Sequence, residues 1–365
     1  MFRLEDLGWN EFFSLQWPQS EQDEWRPARI AEENRELYKV FSEQREAVAE
    51  LAGKLRHEAQ SRADLPAVGD WVLVSGGWGG VLQGKDRATI HRVLTRRSKF
   101  SRKSAGTRTE EQIVAANVDT LLVVTSLQQE FNLRRVERYL SLAWDSGARP
   151  VVVLNKCDLC EVSAIADAEA ALAALRVPWV VASATRGDGI LQIADLVSGA
   201  PSVKTCAFLG SSGVGKSSLI NALLGTDRQA TRDVRAADGK GRHTTTTRQM
   251  IVMPGGGILI DTPGMRELQL WDAAEGLQQT FADIKAMAQQ CRFRDCRHER
   301  EPGCAVRAAA EHGELNEERL ASYRKLVREE RFIEAKQDAA VRAQQTKELK
   351  RLMRGVNRFY RERGR

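Results

Sequence analysis

"KTCAFLGSSGVGKSSLINALLG" (residues 204–225) decides how the rest of the chain is read. "KTCAFLG" is a short apolar run of the buried-strand type, and "KSSLINALLG" starts an amphipathic helix. Between them Gly210 to Ser217 spell G-x-x-x-x-G-K-S, and the strand–loop–helix setting turns that pattern into a phosphate site. Gly210, Gly213 and Gly215 let backbone N–H groups turn inward with no Cβ in the way, and Ser211, Ser212, Val214 and Ser218 complete the cradle. Lys216 brings a point charge to the β- and γ-phosphates, a candidate catalytic role, and the Ser217 hydroxyl can ligate Mg²⁺. The helix N-terminus adds its partial positive charge.

Such a loop does not say which base the nucleotide carries. A guanine reader, Asn-Lys-x-Asp, belongs after it in chain order, and none lies between Ser218 and the C-terminus. One lies before it. "PVVVLNKCDL" (150–159) holds Asn155, Lys156 and Asp158 straight after a valine-rich strand candidate. The Asp158 carboxylate can accept from guanine N1–H and N2–H₂, donors that adenine lacks, so adenine would leave a costly unpaired carboxylate. Asn155 braces the loop, and the Lys156 stem can cover the base. Ser183 and Ala184, in "VVASATRGDG" (180–189), follow another strand and fit the short loop whose N–H meets guanine O6.

Downstream, "ILIDTPG" (258–264) puts Asp261 at the end of an apolar strand, where a carboxylate can hold Mg²⁺ through water, and Gly264 where its N–H can sense a γ-phosphate. "GKGRHTTTTR" (239–248) offers Thr244, Thr245 and Thr246 for the second Mg²⁺ ligand beside Ser217, with Thr245 taken as that ligand. Met265 stands where many GTPases carry a water-orienting glutamine, so slow intrinsic turnover is expected. His243 is the nearest polar side chain for that catalytic role; packing or RNA binding is its alternative. All five elements are present, in rotated order. A site is a constellation in space, so its chain order can rotate when old termini are joined and new ones opened.

The chain has 365 residues, room for two or three domains, with 42% hydrophobic and 28% charged residues, as in soluble globular proteins. No apolar run nears the roughly 20 residues that span a bilayer, and "MFRLEDLGWNEFF" lacks a signal-peptide layout, so a cytoplasmic protein without membrane contact is expected. The net charge of +6 is unevenly spread. "HRVLTRRSKFSRK" (91–103) has no acid, and residues 342–365 carry nine basic residues against two acidic ones. Both segments suggest a polyanionic partner, with Arg96, Arg97 and Lys99 as candidate RNA contacts.

Along the chain, residues 1–60 show helical spacing in "EENRELYKVFSEQREAVAELAGKLRHEA" and predict a helical or mobile extension. Short β-rich runs over 61–112 predict a small barrel, with Trp71 as core and Trp78 left open between core packing and base stacking. Residues 113–272 alternate strand and helix candidates, which predicts a mainly parallel sheet with helices on both faces. Charged helices follow over 273–335, then a basic tail over 336–365. "CRFRDCRHEREPGC" (291–304) sets Cys291, Cys296, His298 and Cys304 close together. Spacing alone leaves two readings: a four-ligand tetrahedral metal site, or reduced core cysteines beside a surface histidine. Cys157, Cys160 and Cys206 flank strands or the base loop and are expected to be inert packing residues.

Together "GDWV", "ANVD", "RVERYL", "NKCDL", "GSSGVGKSSLIN", "GKGRHTTT", "DTPGMREL" and the cysteine cluster resemble the circularly permuted, ribosome small-subunit-dependent GTPases of the RsgA or YjeQ family, from about residue 66 to 330. The resemblance implies an α/β fold: an N-terminal OB-fold β-barrel, a permuted P-loop GTPase domain and a mostly helical C-terminal domain holding one structural zinc ion through Cys291, Cys296, His298 and Cys304. It implies GTP hydrolysis with Mg²⁺, stimulated by the ribosome, and a role in late maturation of the 30S subunit through contact with 16S rRNA. A monomer is expected. Two other readings stay open: a GTP-gated RNA-binding module, and a GTPase with a different target.

Overall fold

The computed structural model describes residues 2–34, 36–43, 45–76, 87–103, 111–127, 131–199, 203–225, 248–261, 274–333 and 335. The first body is a closed barrel of β1 (Arg26–Asn34), β2 (Leu37–Ser42), β3 (Arg45–Leu51), β4 (Trp71–Ser75) and β5 (Ala88–Val93), accompanied by short helices α1 (Glu11–Ser14) and α2 (Gly53–Glu58). Its order, β1-β2-β3-β5-β4 with β4 returning to β1, is that of an OB-fold. The closing β1–β4 ladder runs from Arg26↔Val74 to Arg29↔Trp71.

The helical expectation for residues 1–60 is corrected here, because three of the five barrel strands lie within that span. Tyr38, Val40 and Ser42 of β2, and Ala47 and Ala49 of β3, point inward at every second position. The Glu, Arg and Lys residues between them carry helix propensity, but they sit on the outer face, where strand pairing overrides propensity. The barrel therefore starts at β1 and not near residue 61. Trp71 is fully buried, as expected of a core residue, and Trp9 and Phe13 pack against it. Trp78 lies outside the described residues.

After a two-stranded ladder of β6 (Lys99–Lys103) and β7 (Glu111–Ala116), the chain enters β8 (Thr120–Ser126), α3 (Leu133–Asp145), β9 (Arg149–Asn155), α4 (Val162–Ala173), β10 (Trp179–Val181), α5 (Ile190–Ser198), β11 (Thr205–Leu209), α6 (Lys216–Leu224), β12 (Gln249–Val252) and β13 (Ile258–Asp261). These strands pair in the order β10-β9-β8-β11-β13-β12, parallel except for β12. Near-continuous apolar runs such as "TLLVVTS" are what a sheet covered on both faces requires. One further pairing, Glu32↔Gln249, joins barrel strand β1 to sheet edge β12.

Arg29 fastens barrel and sheet from inside. Its buried guanidinium donates to the carbonyls of Leu7, Gly69 and Asn117 and to Thr205 Oγ1 on β11 at 2.8 Å. Burial pulls its pKa down to about 10, so it remains charged at neutral pH.

The C-terminal helices are α7 (Ala274–Thr280), α8 (Ala282–Ala288), α9 (Ala305–Glu311) and α10 (317–333). They dock on α3. A Cβ at Gly276 would come within 2.0 Å of the Ser141 carbonyl oxygen, so the helices meet backbone to backbone there. The docking is pinned by Arg319, which donates to Glu137 on α3 at 2.6 Å, to both carboxylate oxygens of Asp283 at 2.7 and 2.8 Å, and to the Thr280 carbonyl at 2.8 Å.

Four cations of the basic run at 91–103, Arg92, Arg96, Arg97 and Lys99, are paired with carboxylates. Arg96 forks onto the fully buried Asp70 at 2.8 and 2.7 Å and donates to the carbonyls of Ala63 and Leu65. Arg92 pairs with Glu21, Arg97 with Asp119 at 3.6 Å and Lys99 with Glu111 at 2.9 Å. The expectation that Arg96 contacts RNA is therefore corrected. Burial raises the Asp70 pKa while Arg96 opposes the shift, so losing the arginine strands a buried carboxyl. Arg96→Ala should destabilise the protein by about 3 kcal/mol, whereas Arg97→Ala, in an exposed pair, should cost below about 1 kcal/mol. Urea unfolding of both variants checks this, and equal effects would remove Arg96 from the structural role.

Candidate nucleotide-binding pocket and metal centre

The carboxyl edge of the parallel sheet carries the candidate site. The 210–215 loop leaves β11, the 155–158 loop leaves β9, the 183–184 loop follows β10, and Asp261 ends β13. Ligands of open α/β sheets bind at that edge. Gly213 and Gly215 adopt φ of 79° and 92°, the left-handed region that favours glycine. A Cβ on Gly210 would lie 2.3 Å from the Val124 carbonyl oxygen, so the loop begins hard against β8. Gly215 starts α6 without a side-chain cap, which leaves the first amides of the helix facing the cradle. The Lys216 ammonium donates to the carbonyls of Gly210 at 2.6 Å and Ser211 at 2.8 Å.

The upstream Asn-Lys-x-Asp loop meets this loop. Asn155, at the end of β9 and almost fully buried, donates from Nδ2 to the Val214 carbonyl at 2.8 Å. Its Oδ1 accepts from the Ala184 N–H at 3.3 Å, so one amide braces the phosphate loop and the base-edge loop together. Contact is close enough that a Cβ on Gly215 would stand 2.3 Å from Asn155 Nδ2. Lys156 takes a left-handed φ of 65°, which turns the chain into the short helix bearing Asp158. Ser183 Oγ donates to Asp158 Oδ1 at 2.6 Å and fixes the carboxylate, while accepting the Arg186 N–H at 3.1 Å. Hydrogen bonds through Asn155 and Ser183 thus join the 155–158, 183–184 and 210–215 loops, with Asp261 on the next strand but one from β8. His243, Thr244, Thr245, Thr246, Gly264 and Met265 lie outside the described residues.

Cys291, Cys296, His298 and Cys304 bring their ligand atoms within 4.8 Å of one another. Cys291 Sγ lies 3.6 Å from His298 Nδ1 and 3.9 Å from Cys304 Sγ, and His298 Nδ1 lies 3.4 Å from Cys304 Sγ. His298 is buried, not a surface residue, and burial lowers its pKa, which favours the neutral ligand form. Desolvation raises the Cys291 thiol, but the N–H groups of Val306 and Ala305 and the neighbouring thiols outweigh it and leave its pKa below the ordinary value. These residues could hold a metal ion.

The loop has its own clasp, which sequence reading missed. The exposed Glu301 carboxylate accepts from the N–H groups of Arg297, Glu299 and Arg300 at 2.9, 2.9 and 3.0 Å. Those bonds hold its pKa down to about 2. Its contribution is complete above the ordinary carboxylate range and is lost as pH falls toward that value. Cys206 packs in the core, where burial pushes its pKa up to about 12, while Cys157 and Cys160 are half-buried with pKa values raised by the same cause.

A further layer was also missed. Arg135 and Tyr139, one turn apart on α3, reach Ser211 in the phosphate loop, and Glu137 and Ser141 of the same helix face the C-terminal helices. Only the i, i+4 spacing in "LRRVERYLSLAWD" hints that α3 serves two neighbours.

Fold and pocket together define a circularly permuted P-loop GTPase, in which the base reader precedes the phosphate loop. The family model described as RsgA GTPase matches residues 93–271. The small ribosomal subunit biogenesis GTPase RsgA of Opitutus terrae is 46% identical over 361 residues, covering 96% of each chain. The crystal structure of YjeQ from Thermotoga maritima, 27% identical, superposes with a TM-score of 0.62 over 84% of this chain and 98% of that one. YloQ, a circularly permuted GTPase 24% identical, shares the fold with a TM-score of 0.57, over 84% of this chain and 95% of its own. The chain belongs to the RsgA GTPase family and is a GTP-hydrolysing enzyme.

The cysteine cluster sits in a segment with little core of its own, so a bound metal should supply folding energy. The purified chain is expected to carry one metal ion, and Cys304→Ser should abolish it and open residues 291–304 to protease, with nucleotide binding retained. Elemental analysis with limited proteolysis checks this, and a metal-free wild type resistant in that segment would contradict it.

Proposed function

We propose that this chain binds GTP with Mg²⁺ in the described pocket and hydrolyses it while assisting late maturation of the 30S ribosomal subunit, with stimulation by the ribosome. The observation that carries the reading is the 2.8 Å bond from Asn155 Nδ2 to the Val214 carbonyl, which sets a guanine-reading loop against a phosphate loop. With one Asp158 oxygen held by Ser183, the carboxylate is fixed to accept guanine N1–H and N2–H₂. Residues 213–217 take the α- and β-phosphates, and Lys216 gives up its loop carbonyls for the β- and γ-phosphates. Ser217 and Thr245 would ligate Mg²⁺, with Asp261 acting through water and Gly264 sensing the γ-phosphate. The ion, when bound, neutralises charge developing on the β- and γ-oxygens. His243 would orient the attacking water.

At the cysteine cluster the metal is read as structural zinc. Tetrahedral Zn²⁺ with bonds of about 2.3 Å to sulfur and about 2.0 Å to nitrogen needs S···S edges of roughly 3.8 Å and S···N edges of roughly 3.5 Å. The 3.9, 3.6 and 3.4 Å separations here support that fit. The target reading rests on the name of the relatives, small ribosomal subunit biogenesis GTPase, and on the excess of basic residues over 342–365. Contact with 16S rRNA, a monomeric state and a cytoplasmic location belong to the same reading.

Asp158→Asn tests the base assignment. The amide can donate to the 2-carbonyl of xanthine but cannot accept both guanine donors. Affinity for GDP should fall by about a hundredfold while affinity for xanthosine diphosphate rises; unchanged preference would move the base elsewhere. For the target, co-sedimentation with isolated 30S but not 50S particles, stronger with a GTP analogue than with GDP, is expected. His243→Ala should abolish the 30S-stimulated turnover and spare that binding. Full stimulation in the variant would exclude the histidine.

A further inference from the structure

Two cations converge on Ser211. The Lys216 ammonium lies 2.8 Å from its carbonyl oxygen, and Arg135 Nη1 lies 3.2 Å from its Oγ, with the Tyr139 hydroxyl 3.5 Å from the same Oγ. Arg135 stands apart from other arginines at helix contacts. Arg138 pairs with Glu329 and Arg319 with Glu137 and Asp283, whereas Arg135 meets no carboxylate among the described residues. Its only partner there is a neutral hydroxyl. Two cations anchored on different atoms of one residue repel each other, and an anion with several oxygens could accept from both.

The position says which anion. In a loop of this kind the backbone amides toward the helix take the α- and β-phosphates, and the lysine reaches the β- and γ-phosphates. Lys216 rests at the Gly210–Ser211 edge, away from the helix end of the cradle, so the group it shares with Arg135 is the outermost phosphate. Asn132 caps the start of α3 by accepting the Arg135 N–H at 3.0 Å, which fixes the backbone from which the side chain swings.

We propose that Arg135 is a specificity residue for the terminal phosphate: its guanidinium leaves Ser211 Oγ for a γ-phosphate oxygen of the bound nucleoside triphosphate, so the pocket favours GTP over GDP. The inference rests on the pocket being the GTP site. Arg135 is exposed, and its replacement leaves the packing of α3 intact.

Equilibrium binding of GDP and of a non-hydrolysable β,γ-imido GTP analogue, with Mg²⁺ and the full chain, tests it. Arg135→Ala should weaken the analogue by about tenfold and leave GDP unchanged, the loss of one charge-assisted contact. Arg135→Lys should recover part of the difference. Equal weakening of both nucleotides would make Arg135 a support of the loop's shape, and no change in either would remove it from the site; both outcomes overturn the proposal. A wild-type chain that binds neither guanine nucleotide, or ADP equally well, would instead refute the site itself.

Discussion

The buried amide of Asn155 is the joint on which the site depends. Its two polar atoms hold two loops at once, the Val214 carbonyl on one side and the Ala184 N–H on the other. Sheet order makes this possible whatever the chain order. The strands β9, β8 and β11 are neighbours, so the loops that leave their carboxyl ends are neighbours too. Gly215 completes the constraint, because any side chain there would occupy the place of the Asn155 amide.

Rotating the chain order changes what the pocket is wired to. Among the described residues, the element that follows Asp261, at the end of β13, is α7, which leads on to the helices around the cysteine–histidine cluster. Those helices rest on α3, whose opposite face touches the phosphate loop through Arg135 and Tyr139. Arg319 ties three helices through Glu137 and Asp283, and Phe281 lies under its guanidinium at 4.8 Å. Burial raises the Glu137 pKa while Ser322 and Arg319 oppose the shift, so these contacts offset part of the cost of burying the carboxylate. Removing one partner of such a pair leaves an uncompensated charge, which costs about 3–5 kcal/mol.

The parallel sheet and most of the pocket were legible because their signals are local. A valine-rich strand followed by Asn-Lys-x-Asp, or an apolar strand followed by a glycine loop and a helix, announces itself in ten residues. The cysteine cluster was legible for the same reason. Strands β1–β3 were not, since their inward residues include small alanines set among glutamates and arginines, a pattern that reads as helix until the barrel closes around it. Charge was the other blind spot. "HRVLTRRSKFSRK" contains no acid, yet its partners Glu21, Asp70, Glu111 and Asp119 arrive from elsewhere in the fold. Sequence proximity cannot report a pair like Arg319–Glu137, whose members are 182 positions apart.

The most direct measurement is an experimental structure of the full chain with GDP and Mg²⁺. The guanine ring is expected against Asp158 and Ala184 and the diphosphate cradled by Gly213 to Ser217, within one continuous pocket. A diphosphate in that cradle with the base turned away from Asp158, or a nucleotide bound elsewhere, would contradict it.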